Sequence, residues 1–175
     1  WGRLCLRQGD PETAQVWFAR ASDILIEEQT EEKQYKRDIV GLKYWQAVCQ
    51  FDKQQLSQAK SLFQQVKDEG HGIGWQRAIN YAQNWLADIA IEKGELDTAE
   101  QLLRTGLPVA ERNKDKRRIA HYKRSYTYLE LKRGNLVEAR HWAEVALDEY
   151  DRLGMQPQIE ELEELLQRQL NYEKS

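Results

Sequence analysis

The chain has 175 residues, 41 % of them hydrophobic and 31 % charged, with a net charge of −3. That length suits one ordinary domain or a short repeat array, and the balance of charge gives no global drive toward nucleic acid or a membrane surface. Three prolines and ten glycines argue against a disordered or fibrous chain, and two cysteines, Cys5 and Cys49, are too few for a disulfide framework, which favours a reducing, cytoplasmic setting.

Taken in order, residues 1–8 read as the tail of a helix and about 11–28 as the next helix, with Pro11 in its first turn. Glu27 to Glu32 forms a charged connection. Helices follow at about 33–51 and 55–68, then a flexible-looking link at His71-Gly72-Ile73-Gly74. Two more pairs are predicted at about 74–93 with 96–112, and 115–133 with 136–153. Gly154 ends the last, and Pro157 opens a closing helix at about 157–171. That helix keeps Ile159, Leu162, Leu165 and Leu166 on one stripe and carries Glu160, Glu161, Glu163 and Glu164 elsewhere. No apolar run approaches the roughly 20 residues needed to span a bilayer.

The pairs share one corner. Gly94-Glu95-Leu96-Asp97-Thr98-Ala99 is nearly copied in Gly134-Asn135-Leu136-Val137-Glu138-Ala139, again in Gly9-Asp10-Pro11-Glu12-Thr13-Ala14, and in degraded form in Gln54-Gln55-Leu56-Ser57-Gln58-Ala59. The closing alanines, Ala14, Ala59, Ala99 and Ala139, lie 45, 40 and 40 residues apart. Before the corner a column of small residues runs through Gly2, Ala47, Ala87 and Thr127. Larger apolar residues stand at Leu6, Phe51, Ile91 and Leu131, and a further small or modest column holds Ala21, Val66, Gly106 and Ala146. Small residues at fixed spacing let two helix backbones approach closely, and four such units at a near-constant period are the mark of a solenoid. The expected architecture is all-α: a right-handed α-solenoid of four helix pairs, in repeats of about 1–30, 31–70, 71–112 and 113–153, plus the closing helix. The closing helix supplies a polar outer face at one end. The other end has no comparable cap, so the chain, which begins at Trp1, is expected to be part of a longer protein, with possible self-association through an apolar face around Leu4, Leu6, Val16 and Trp17.

These columns resemble the tetratricopeptide repeat family, best over Trp85-Leu86-Ala87 to Leu102-Leu103 and over Tyr126 to Leu147. The period exceeds the roughly 34 residues usual for the family. In its length and in the helix start Lys116-Arg117-Arg118-Ile119-Ala120 it is similar to sensor arrays of bacterial STAND-type signalling ATPases. The resemblance implies a non-catalytic scaffold that takes a protein or peptide partner in a groove lined by the first helix of each pair, and that regulates an attached signalling domain. By position the groove would include Gly41, Tyr44 and Val48, then Tyr81, Asn84 and Asp88, then His121, Arg124 and Tyr128. Tyr44 and Val48 stand where a carboxylate-clamp array has Lys and Asn, which argues against binding of chaperone tails.

No phosphate loop, zinc motif or nucleophile–base constellation is present, so no cofactor, metal or catalytic residue is assigned. Trp45 and Trp85 match one another and read either as core filling or as an aromatic wall of the groove, whereas Trp17 and Trp142 match in columns that favour packing. Between Arg112 and Arg140 basic residues dominate. Arg117, Arg118 and Arg124 are candidate anion contacts, and a polyanion or nucleic acid is the alternative partner to a protein segment. The bland reading of the same charges is a solvated surface neutralised by the acidic helices that follow.

Overall fold

A computed structural model describes residues 1–27 and 33–172. Its order is α1 (Gly2–Arg7), α2 (Pro11–Glu27), α3 (Lys33–Asp52), α4 (Leu56–Gly72), α5 (Gln76–Glu92), α6 (Leu96–Arg112), α7 (Lys116–Arg133), α8 (Leu136–Arg152) and α9 (Gln156–Tyr172). The described residues are all-α, with consecutive helices packed on one another, the arrangement from which helical-repeat solenoids are built. The expected charged connection lies, beyond Glu27, outside the described residues.

Packing divides the chain into two compact units, Trp1–Ile89 and Ala90–Ser175. In the first, α2 packs between α1 and α3, and α4 on α3. In the second, α6, α7, α8 and α9 pack each on the next. The small-residue columns are where these helices meet. Ala14, Ala59, Ala99 and Ala139 are all 0 % exposed, and Ala47, Ala87 and Thr127 are too. A methyl side chain at such a position allows the close interhelical approach that a longer one would block.

Seven corners among the described residues close in the same way. The amide of Asp10 donates to the Cys5 carbonyl, Gln55 to Gln50, Trp75 to Gly70, Glu95 to Ala90, Asp115 to Ala110, Asn135 to Glu130 and Met155 to Tyr150, all at 2.8–3.0 Å. This six-residue closure returns otherwise unsatisfied carbonyls of the last helical turn to a partner, and it requires a left-handed residue just before the donor. Gly94 and Gly134 supply it with φ of 75° and 78°. Two corners use a side-chain-bearing residue instead, Gln54 at φ 59° and Lys114 at φ 54°. A left-handed L-residue costs roughly 1–2 kcal/mol. Gln54 is exposed, so Gln54→Gly is expected to stabilise the protein by about 1 kcal/mol, after allowing for the extra freedom glycine has in the unfolded chain. Urea unfolding measures this, and a midpoint lowered by the glycine would contradict it.

The link expected at His71–Gly74 is shorter than the sequence suggests. α4 continues through Gly72, and only Ile73, Gly74 and Trp75 connect it to α5. Gly70 is a packing residue in this helix: a Cβ there would lie 3.0 Å from Ile79 Cγ1. At the N-terminal end of the first unit, Leu4 and Val16 are 45 % and 52 % exposed and Trp1 79 %, while Leu6 and Trp17 are half-buried.

Candidate partner-binding surface

In the first unit the candidate residues stand on α3 and α5, and an aromatic cluster holds them. Phe63 of α4 is fully buried. Trp85 lies parallel to it, with ring centroids 5.5 Å apart, and Phe51 meets Trp85 edge-on at 4.9 Å. Tyr44 meets Phe63 edge-on at 5.8 Å, and its hydroxyl accepts a 2.8 Å hydrogen bond from Trp85 Nε1. Tyr81 stands 6.1 Å from Tyr44, with the Arg77 guanidinium over its ring and Arg77 Nη2 donating to its hydroxyl at 2.9 Å. Tyr44 and Tyr81 are therefore half-buried rings held both at the ring face or edge and at the hydroxyl. Val48, Asn84 and Asp88 are only 7, 1 and 4 % exposed. They present little surface in this conformation and act as packing and hydrogen-bonding groups.

The tryptophans sort along the same lines. Trp85 is engaged by Phe63 and Phe51, and Trp45 is covered by Tyr44 and by the Arg3 guanidinium, 4.5 Å from its centroid. Trp142 stacks on Tyr126 at 4.5 Å, and Trp17 on Trp1 at 6.1 Å. Trp75, which has no counterpart in the repeat columns, lies against Gly41 and under Arg37, and so staples α3 to the corner before α5.

In the second unit α7 carries His121, Arg124 and Tyr128. Arg124 and Tyr128 act together: the guanidinium lies 5.2 Å above the Tyr128 ring, and both reach one carboxylate. The Tyr128 hydroxyl donates to Glu161 Oε1 at 3.0 Å, and Arg124 Nη1 is 4.0 Å from the same oxygen. Glu161 belongs to α9, whose Leu162 is fully buried in a core with Ala120, Ala143, Ala146 and Tyr150. The apolar stripe of the closing helix thus delivers an acidic side chain to the two α7 residues. Glu161 is the partner that sequence reasoning missed; its membership in the acidic cluster was the one available signal. Of the candidate anion contacts, Arg117 is exposed, whereas Arg118 and Arg124 are only 5 and 9 % exposed. Three other cations of this unit are paired, Lys123 with Glu149, Lys132 with Glu92, and Arg133 with Glu100 and Glu130.

His121 is separated from that pair in role. Its Nδ1 lies 3.1 Å from the Tyr150 hydroxyl, which donates to it when the imidazole is neutral with its proton on Nε2. Burial, and then the charges of Arg118, Arg124 and Arg117, hold its pKa well below 6.5. The unfolded chain therefore binds a proton at this site before the folded one does. The resulting stability is complete above about pH 6.5 and is lost as pH falls below it, by at most about 1.4 kcal/mol per pH unit. His121→Gln should remove this component, so the difference in unfolding free energy between wild type and variant should shrink from pH 7 to about pH 5. A constant difference across that range would contradict the assignment.

Among the described residues no three His, Cys, Asp or Glu side chains are grouped so as to hold a metal ion, and no helix is long and apolar enough to cross a membrane. Cys5 and Cys49 are free thiols.

The family model described as Tetratricopeptide repeat matches residues 2–20 and 80–105. Both stretches carry a corner, Gly9 to Ala14 and Gly94 to Ala99, and the match supports a tetratricopeptide repeat protein. No curated protein matches the chain. Tetratricopeptide repeats generally mediate protein–protein interaction and are generally non-catalytic.

Proposed function

We propose that this chain is an interaction module that holds a segment of another protein against the first helices of its repeats, with Tyr44 and Tyr81 as contacts in the first unit and Arg124 and Tyr128 in the second. The observation that carries this reading is the capture of Glu161. A guanidinium stacked on a phenol, both directed at one carboxylate of a separate helix, is a ready arrangement for an acidic side chain of a partner. Val48, Asn84, Asp88 and His121 shape and support these surfaces from buried or half-buried positions. In the full-length protein the module would sense its partner and regulate an attached signalling domain in the cytoplasm. A protein segment is favoured over a polyanion because the candidate residues of the first unit are the aromatic rings Tyr44 and Tyr81 rather than a run of cations, and Lys123, Lys132 and Arg133 of the second unit are engaged by glutamates.

The test is affinity capture from lysate of the source cells, comparing wild type with a Tyr44→Ala, Arg124→Glu, Tyr128→Ala variant that keeps its helical circular dichroism. A protein retained by wild type and lost by the variant is the expected result; equal capture by both would move the site elsewhere. A polyanion partner would instead be lost steeply between about 50 and 200 mM salt.

A further inference from the structure

On the candidate surface of the second unit, the chain already supplies a carboxylate of its own. Glu161 Oε1 accepts a 3.0 Å hydrogen bond from the Tyr128 hydroxyl and lies 4.0 Å from Arg124 Nη1. The two sides of this contact differ in burial. The Arg124 side chain is 11 % exposed, and its guanidinium lies over the Tyr128 ring. The Glu161 side chain is 54 % exposed, and among the described residues its carboxylate has no other hydrogen bond or ion pair.

The backbone beneath Glu161 is held more firmly than its side chain. Leu162, the next residue, is fully buried with Ala146 and Tyr150, and Ile159, Leu165 and Leu166 pack on the same cluster. The helix α9 therefore stays seated while the Glu161 side chain changes rotamer, a motion of picoseconds to nanoseconds at an exposed position. A half-exposed ion pair contributes little to stability, so its exchange for another carboxylate leaves the fold intact. The receiving groups are fixed and the occupying group is free to leave.

We propose that Glu161 is a built-in competitor for the Arg124–Tyr128 site: an autoinhibitory contact in which the closing helix presents the group that a partner must bring. This inference rests on the reading above, that α7 takes an acidic side chain. A partner's Asp or Glu enters as Glu161 turns out, and one carboxylate replaces another. A neutral side chain in the same place would not restore the charge that Arg124 loses, so the contact selects for acidic partners as well as restraining them. Affinity for the partner falls in proportion to the fraction of molecules in which Glu161 has left the site.

Two capped tripeptides test this, acetyl-Gly-Glu-Gly-amide and its Gln counterpart, titrated into the full chain at constant ionic strength. NMR follows the Arg124 side chain and the Tyr128 ring. Half-saturation by the Glu peptide is expected at about tenfold lower concentration in Glu161→Ala than in wild type, which corresponds to Glu161 holding the site in about nine tenths of molecules. Glu161→Gln, which keeps an acceptor for Tyr128 but no charge, should fall between the two. Glu160→Ala controls for charge alone: Glu160 accepts from Gln156 on its own helix, and its loss should leave the titration as in wild type. Both glutamates are exposed helical positions, where alanine preserves the helix. The Gln peptide should give no saturable shift. Equal half-saturation in wild type and Glu161→Ala, or an equal gain from Glu160→Ala, would overturn the proposal and leave the acidic-partner reading standing. No saturable shift with the Glu peptide in any variant would overturn both.

Discussion

Replacing Phe63 by alanine is expected to cost about 3–5 kcal/mol of stability, the range for removing a buried aromatic ring from a packed core. Phe63 is 0 % exposed and faces two rings at once, Trp85 in parallel and Tyr44 on edge. Each such ring pair adds about 0.5–1.5 kcal/mol beyond the area it buries. The loss should spread to the candidate surface, because Tyr44 is positioned by this cluster and by its hydrogen bond from Trp85. Phe63→Leu, which keeps most of the apolar volume, should cost markedly less. Urea unfolding of the two variants decides the matter; a penalty under about 1 kcal/mol for Phe63→Ala would show that the site collapses around the missing ring.

The second large effect is expected at Gly106, and its sign runs against the usual rule. Glycine to alanine inside a helix normally gains about 0.5–1 kcal/mol. Here a Cβ on Gly106 would lie 2.1 Å from the Tyr122 hydroxyl oxygen and 2.5 Å from its Cζ, and Tyr122 is itself 0 % exposed. The tyrosine ring has no free space to retreat into, so Gly106→Ala should destabilise by about 1–3 kcal/mol, the cost of overpacking. Pairing it with Tyr122→Leu should recover part of the loss, since the two substitutions act on one contact and their effects are not additive. A higher unfolding midpoint for Gly106→Ala alone would refute the packing argument. Forty residues earlier the same two repeat positions hold Val66 and Ala82, both fully buried. The larger residue stands at the second of these positions in one repeat and at the first in the other.

Much of the helical framework was legible because its constraints are local or periodic. Ala14, Ala59, Ala99 and Ala139 mark close approaches of helices, and all are fully buried. Gly94 and Gly134 mark left-handed corners, and both are left-handed. The sequence was less informative where a constraint was non-local or chemically ambiguous. Gly70 lies beyond the helix predicted at about 55–68, yet it sits inside α4, where a Cβ would come within 3.0 Å of Ile79 Cγ1. Gln54 stands in the glycine column of its corner, yet neither its residue type nor that of Lys114 favours a left-handed backbone, which the corner geometry imposes against their preference. The groove residues illustrate the same limit. Position in the repeat selects the face of the helix, but Asn84 and Asp88 are polar residues with almost no exposed surface, a property that no hydrophobic period reports. The meeting of Glu161 with Tyr128 spans 33 residues and depends on how the α9 stripe seats in its core.

The corners have a consequence for how this architecture can change. At Gly94 and Gly134 the space around an added side chain is open, with no atom within 4 Å, so that only the left-handed backbone resists substitution, while the alanines five residues later admit no enlargement. Tolerance and intolerance thus alternate along the chain at short range. Extra sequence placed at a corner would forfeit the six-residue closure there and, beyond that, meet the slow logarithmic penalty of a longer loop. The hairpins behave as interchangeable bricks joined by forgiving mortar, so that sensors, labels or whole recognition loops can be grafted at the joints while the packed faces between them stay unchanged.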